Sequence, residues 1–340
     1  MNMSPLVITG SYPDDICGVG DYTHALLDAL KAENKDAALF YRKRWDLRDL
    51  REYLLLIKQT GSAVVNIQYP TEGYGYSILP QLLCCCLRKT TTVVTLHEFS
   101  RKSLKGKVAI SLFFLAADWI IFTADLERDY VCRIAPWVRR RSCVIPISSN
   151  IPIRSPQARE ADIVYFGLIR PEKGLEEFVN IIQKLSSRPE LVIRVIGQLV
   201  PGYEQYASAI LDRLRNVGAE IILGKTVDEV SQLLCRARVA LLPFPDGMSL
   251  RRGSALAAMG NGALLITTPA TSEAEVMRGI CVMSATEDGL AAAVLRAVDG
   301  DPSLEAIRLA GQDFARNTSW STVTSSYAKV MNRYGVWVRK

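Results

Sequence analysis

The order of apolar runs constrains this chain more than any single motif. Short β-branched runs at residues 6–9, 37–41, 63–68, 92–97, 119–123 and 143–147 alternate with stretches of helical spacing at 22–31, 47–58, 78–87 and 104–117. The rhythm then breaks and restarts. Its second set has runs at 163–166, 191–196, 220–223, 239–243, 263–268 and 280–283, with helical stretches at 175–185, 204–217, 227–236, 254–260 and 289–298. Strands apolar on both faces and separated by helices build doubly wound parallel sheets. The break, residues 148–161, holds two prolines, three serines and an asparagine and reads as a linker. The expected fold class is α/β, with two Rossmann-like doubly wound parallel-sheet domains facing a cleft. Their expected spans are 1–153 and 160–318, the second closing on a helix at 304–317, followed by a terminal segment 319–340 with a last helix at 321–333.

Bulk chemistry removes several classes. The apolar share of 49% and charged share of 22% are those of a soluble globular protein. The longest apolar tract, 108–122, contains Asp118 and is shorter than the roughly 20 residues that span a bilayer. Residues 1–5 lack the basic and apolar regions of a secretion signal, so a cytoplasmic location is expected. Eight cysteines without a C-x-x-C pair read as free thiols in a reducing compartment. The net charge of +6 comes largely from Arg88, Lys89, Arg101, Lys102, Lys105, Lys107, Arg128, Arg133, Arg139, Arg140 and Arg141. This tract is either a solvated face or a patch for an anionic partner, lipid headgroups or a phosphate-bearing acceptor. It has no helix-turn-helix pattern, zinc spacing or interleaved aromatics, so nucleic acid is not an expected partner.

Ligands of such sheets bind at the carboxyl ends of the strands, which directs attention to the loops there. The first loop carries Gly18, Val19 and Gly20 at the start of a helix, a place suited to phosphate. Thr23 stands where a dinucleotide fingerprint needs its third glycine, which disfavours an NAD enzyme. The fourth strand ends on His97, which is either functional over the cleft or a satisfied structural histidine; His24 lies inside the first helix and reads as structural. No second histidine or cysteine has ligand spacing, so no metal is expected. In the second half, Gly167, Arg170, Lys173 and Gly174 lie between a strand and a helix, a setting of cations and oriented amides for a diphosphate. The loop after the fourth strand there holds Asp246 for sugar hydroxyls, then Ser249, Arg251, Arg252, Gly253 and Ser254 for phosphate at a helix start. Tyr69, Glu72, Tyr74 and Arg101, the last from the basic 101–107 tract, are candidates for the acceptor side: the tyrosines either stack on sugar faces or only pack.

At these residues the chain resembles glycosyltransferase family 4 of the GT-B fold, the glycosyl transferases of group 1. The matching parts are the Gly18–Gly20 loop, Leu96-His97-Glu98, Gly167 with Pro171-Glu172-Lys173-Gly174, Ala257 to Gly262, and the segment from Phe314 to Tyr327 around Trp320. The resemblance implies retaining, metal-independent transfer from a UDP- or GDP-sugar co-substrate, without a further cofactor, and a last helix that crosses back to the first domain. It places Lys173 on the donor diphosphate, His97 near the transferring sugar, and Gly18 to Gly20 toward the donor. Two departures stand out. Leu168 occupies a place that is often arginine, with Arg170 as the expected substitute. The family's paired glutamates are absent: the second aligns with Ala257, and Asp246 is the nearest counterpart of the first. The expected acceptor is a glycan or a lipid-linked saccharide of a bacterial surface polymer or glycolipid, met at the inner face of the membrane through a peripheral contact. Two other readings stay open: a catalytically silent sugar-nucleotide-binding partner subunit, and a sugar-nucleotide epimerase of the same fold.

Overall fold

A computed structural model describes residues 4–337 apart from 14, 16, 88 and 271–273. Asp14 and Ile16 of the first loop, and Arg88 of the basic tract, therefore lie outside the described residues. The chain divides into two compact units, Met1–Ile147 with Trp320–Lys340, and Ser148–Ser319.

The first unit is a six-stranded parallel sheet of β1 (Leu6–Thr9), β2 (Ala38–Tyr41), β3 (Val64–Tyr69), β4 (Thr91–Leu96), β5 (Trp119–Phe122) and β6 (Ser142–Val144), in the order β2-β1-β3-β4-β5-β6. Alternation along the strands sorts the core. Val65, Ile67, Val94, Leu96, Ile120 and Phe122 point to a face covered by α2 (Leu50–Gln59), α3 (Leu79–Cys86), α4 (Leu104–Ala116) and α5 (Asp125–Ile134). Val64, Val93 and Ile121 point the other way, onto α1 (Gly18–Ala32) and the chain's last helix, Trp320–Asn332. That helix buries Val323, Tyr327, Val330 and Met331 against Tyr22, Leu26 and Leu30 of α1. A two-sided apolar sheet needs both layers, and the last helix fills what α1 alone leaves open.

The second unit repeats the plan. Its strands are β7 (Ala161–Ile169), β8 (Ile193–Leu199), β9 (Glu220–Leu223), β10 (Ala237–Leu242), β11 (Leu264–Thr267) and β12 (Val282–Met283), ordered β12-β11-β10-β7-β8-β9 and all parallel. The helices of this unit are α6 (Leu175–Lys184), α7 (Glu204–Asn216), α8 (Val227–Leu234), α9 (Gly253–Gly260), α10 (Ala274–Ile280), α11 (Glu287–Val298) and α12 (Ser303–Asn317); the last helix of the chain is α13. The chain leaves β7 toward β8 and β9 on one side, then returns to lay β10, β11 and β12 on the other. The order thus reverses between β7 and β10, the switch point where such sheets open a crevice for ligands.

All twelve expected strands are present, with ends shifted by a few residues. Two helices escaped the apolar rhythm. One is α5, whose Asp125, Glu127, Arg128 and Asp129 dilute its apolar stripe; the other is α10, which takes Ile280 from the strand expected at 280–283. The segment read as a linker is tied down. Asn261, fully buried at the end of α9, accepts from the Arg154 amide at 2.9 Å and donates to the Pro152 carbonyl at 3.1 Å. Any Cβ on Gly262 would stand 2.5 Å from Pro156. The Gly260-Asn261-Gly262 run is therefore a seat for residues 152–156, a packing role.

Candidate active site

The loops after β7 and β10 flank the switch point of the second unit and hold most of the expected donor-side residues. Lys173 sits in a sharp turn between two left-handed residues, Glu172 at φ 65° and Gly174 at φ 80°. For a glutamate that conformation is strained, and strain of this kind collects at ligand sites. The buried Tyr165 hydroxyl donates to the Lys173 carbonyl at 2.9 Å and pins the turn from below. Gly174 admits no side chain, because a Cβ there would lie 2.1 Å from the Pro243 carbonyl oxygen. The two loops thus touch backbone to backbone across the switch point.

Lys173 is half-buried, and its ammonium is held down to about 8 by burial, then by the positive charges of Arg170 and Arg252; Asp246 and Glu172 oppose this only in part. A cation kept dry beside other cations is an unfilled demand for negative charge. Arg252 is folded onto its own loop. Its guanidinium pairs with Asp246, donates to the Gly247 carbonyl at 3.2 Å and lies 4.4 Å over the Phe244 ring. Asp246 and Arg252, expected separately on sugar and phosphate, are thus partners of each other, although the Asp246 side chain stays 44% exposed. Ser249, Arg251, Gly253 and Ser254 continue the loop, all partly exposed; the Arg252 side chain does not cap α9, and a Cβ on Gly253 would touch nothing within 4 Å. Among the described residues, the first amides of the helix face the loop region without a side-chain cap. Ala257 is fully buried inside α9, so no ribose grip comes from that position. Gly167 pairs in register with Gly197 of β8.

The remaining expected residues belong to the first unit. Gly18, Val19 and Gly20 form the first turn of α1; Gly18 is exposed, and a Cβ on Gly20 would come within 3.1 Å of the Ser11 backbone. Thr23, in the third-glycine place, donates to the Val19 carbonyl at 2.7 Å. His97 is 8% exposed at the end of β4, its ring edge-on to Tyr22 at 4.8 Å and its Nε2 3.0 Å from Gln68 Oε1. Glu127, fully buried on α5, accepts from the Phe99 and Ser100 amides at 2.9 Å each and from the Ser100 hydroxyl at 2.8 Å. It is the clamp that shapes the backbone following His97. Glu72 and Arg101 are exposed. Tyr69 and Tyr74 correct the expectation. Both rings are core, stacked on each other at 5.6 Å and packed against Phe113 and Trp45, so neither offers a face to a sugar. The glycines beside them serve the same packing: a Cβ on Gly73 would stand 1.7 Å from the Gly10 carbonyl oxygen.

Two doubly wound parallel sheets of this order define the GT-B fold, and solved glycosyltransferase structures share it. Anabaena HepE, determined in complex with UDP and glucose, superposes with a TM-score of 0.72 at 12% identity, over 97% of this chain and 100% of that one. A glycosyltransferase from Rickettsia africae gives 0.74 at 11% identity, over 99% and 100%. The pneumococcal O-GlcNAc transferase GtfA, in complex with UDP and GlcNAc, gives 0.62 at 15%, over 83% and 59%. Within the chain, residues 160–299 match the family model of glycosyl transferases group 1, a stretch that contains both loops of the switch point. No curated protein matches the chain in sequence.

Proposed function

We propose that this chain is a retaining, metal-independent glycosyltransferase that takes a sugar from a nucleotide-diphosphate donor and passes it to a hydroxyl acceptor. The observation that carries the reading is Lys173, a half-buried cation in a strained turn at the switch point, held among Arg170 and Arg252, with the start of α9 in the neighbouring loop. In such a transfer the main demand is to stabilise charge on the departing diphosphate while the acceptor oxygen attacks the anomeric carbon from the same face. Lys173, Arg170 and the α9 amides would supply that potential in place before the reaction begins. Asp246 would exchange part of its pairing with Arg252 for sugar hydroxyls, releasing guanidinium charge toward the phosphates. Its base is read as uracil or guanine; Anabaena HepE, with UDP bound, makes UDP-sugars the first to try.

The test is binding. At a hundredfold excess over its dissociation constant, a donor stabilises the native state by about 2.7 kcal/mol and raises the melting temperature by about 5–10 °C. A panel of UDP-, GDP-, ADP- and TDP-sugars should contain one that does so. A silent response across the panel would overturn the reading. Binding should also weaken with alkali. A bound diphosphate favours the charged lysine, so above about pH 8 the protein must take up a proton to bind. UDP affinity is expected to fall by about twentyfold between pH 7.5 and 9.5, as the charged fraction of Lys173 falls. The same titration on Lys173→Met should be nearly flat.

A peripheral contact with an anionic membrane surface fits the acceptor side. On α4, Leu104, Val108 and Leu115 are 80, 66 and 69% exposed, and their spacing puts them on one helix face. Exposed Arg101 and Lys105 flank its start, and exposed Trp137 donates its indole N–H to the Phe114 carbonyl at its end. Apolar side chains with a tryptophan and a basic rim are the makings of an interfacial helix. Among the described residues no helix is long and apolar enough to cross a membrane. Sedimentation with phosphatidylglycerol vesicles at low salt is expected, and should be lost when Leu104, Val108 and Leu115 are all changed to Asp. Such a membrane-held acceptor would be a lipid-linked saccharide of surface-polysaccharide or glycolipid synthesis. The competing reading, a silent partner subunit, is favoured by the buried Ala257 in the glutamate's place. It predicts donor binding with neither transfer nor slow donor hydrolysis.

A further inference from the structure

We propose that the loop after β2, Arg42-Lys43-Arg44, is a binding site for a phosphate ester carried by the acceptor. That the ligand is the acceptor rests on the proposed function; that the loop takes a phosphate does not. Three consecutive cations follow the carboxyl end of a parallel strand, where ligands of such sheets bind. β2 is an edge strand and reaches β4 only across β1 and β3, about 14 Å away at ordinary strand spacing. The site is therefore separate from the α4 surface, which follows β4.

The loop is held from below. Phe40, Trp45 and Tyr53 are buried and meet pairwise edge-on, with ring centroids 6.4, 5.4 and 5.3 Å apart. The Trp45 indole N–H donates to the Arg42 carbonyl at 2.8 Å, and the Tyr53 hydroxyl donates to the Arg44 carbonyl at 2.5 Å. Both ends of the triplet are thus tied to an aromatic floor. The third ring serves as well: the Arg42 guanidinium lies 4.5 Å over Phe40 and donates to the Tyr41 carbonyl at 2.8 Å. Backbone fixed in this way leaves little ordering for a ligand to impose.

The charges it carries are open. All three side chains are exposed, and among the described residues none has a carboxylate within ion-pair distance. Exposed cations elsewhere in the chain do, as Lys225 with Glu229 at 2.9 Å and Arg215 with Asp212 at 2.7 Å. The nearby acids have other work. Asp15 accepts from the Tyr41 hydroxyl at 2.8 Å, and Asp46 accepts from the Arg48 amide at 3.0 Å. Asp49 and Glu52 act on the Tyr53 hydroxyl, where Arg42 and Arg44 oppose them. Residues 42–52 hold five cations and three acids, so a charge of +2 remains. A phosphate monoester, at about −1.5 to −2, answers that charge, and its oxygens suit forked guanidinium donors. A sugar carboxylate, with one charge, would leave half of it unanswered.

Calorimetric titration with pyrophosphate on a Lys173→Met background, without donor or transfer, separates this loop from the donor side. Binding is expected there, and should weaken about tenfold for each cation lost in Arg42→Gln, Lys43→Gln and Arg44→Gln. A control removes the same charge elsewhere, at the exposed Arg133, Arg139 and Arg140, each changed to Gln, and should bind like the background. Absence of binding on the background, unweakened binding in the triple loop variant, or an equal loss in the control would each overturn the proposal. Should Arg42→Gln disturb the fold through Phe40, Lys43→Gln with Arg44→Gln decides it. Two further arms name the source of the phosphate. Competition by glucose 1-phosphate marks a free sugar phosphate. Sedimentation with phosphatidylcholine vesicles that requires both a polyprenyl phosphate and the three cations marks a lipid-linked one. Failure of both arms sinks the phosphate-ester assignment. A chain that binds phosphate here yet transfers no sugar keeps this site and loses the proposed function; one that transfers sugar while this loop binds nothing loses only the site.

Discussion

A Lys173→Ala variant is expected to keep its fold and to lose about two to three orders of magnitude in glycosyl transfer, the usual loss when one preorganised charge-stabilising group is removed, about 3–4 kcal/mol of barrier. The fold should survive because the lysine is a burden on it. Its folded-state value, about 8, lies below the ordinary lysine value of 10.5. Below about pH 8 the native state therefore carries a charge it holds less well than the unfolded chain does. That penalty is relieved as pH rises from about 8 toward the unfolded value, so stability climbs through this window. A Lys173→Met variant should be at least as stable as the wild type at pH 7 and lack the climb. Donor transfer and stability, measured side by side, thus move in opposite directions for this residue. Turnover in Lys173→Ala within fivefold of wild type would leave the diphosphate role without its main support. Lys173→Arg keeps a charge that does not titrate near 8, and should bind UDP with little change between pH 7.5 and 9.5 even where its geometry lowers turnover.

Much of the architecture was legible before any coordinates, because it rests on period and order. Parallel strands buried on both faces must be apolar runs, and helices must intervene to carry the chain back. Both marks were plain at β3, β4, β7 and β10. What the rhythm could not say is which way a residue with two characters turns. Tyr69 and Tyr74 have rings apolar enough for the core and hydroxyls polar enough for a ligand, and packing against Trp45 and Phe113 decided the matter. Asp246 and Arg252 were each read toward a ligand, when a loop that turns at Gly247, φ 81°, brings them onto each other. Gln68, Asn66 and Thr95 were passed over, yet a signal was present. In β3 the polar residues Asn66 and Gln68, and beside them Thr95 in β4 with His97 just past its end, fall two apart on one face. Amides placed with strand period inside a buried sheet must find one another, since an orphan there costs more than the site returns. Glu127 carried a fainter mark, an acid in the first turn of a helix whose carboxylate is spent on a neighbouring loop.

Gly174→Ala should disable the site through backbone alone. The residue has a left-handed φ of 80°, where a Cβ costs about 1–2 kcal/mol. Its Cβ would also stand 2.1 Å from the Pro243 oxygen, with a rigid carbonyl in the way instead of a flexible side chain. Relief requires the β7 and β10 loops to part by about 1 Å, and a displacement of that size at a reacting centre costs about a hundredfold in rate. Gly202 provides the control within the same unit. Its φ of 85° carries the same left-handed penalty, but an added Cβ meets nothing within 4 Å. Gly202→Ala should therefore lose about 1 kcal/mol of stability and keep its transfer rate. Gly174→Ala should lose about 3 kcal/mol, from strain added to the same penalty, and about a hundredfold in transfer, with UDP affinity falling alongside. Equal stability losses for the two variants would mean that the loops yield freely. Lys173 would then owe its position to the Tyr165 hydrogen bond and the strained Glu172, and the close passage of Gly174 under Pro243 would be packing without consequence for the donor.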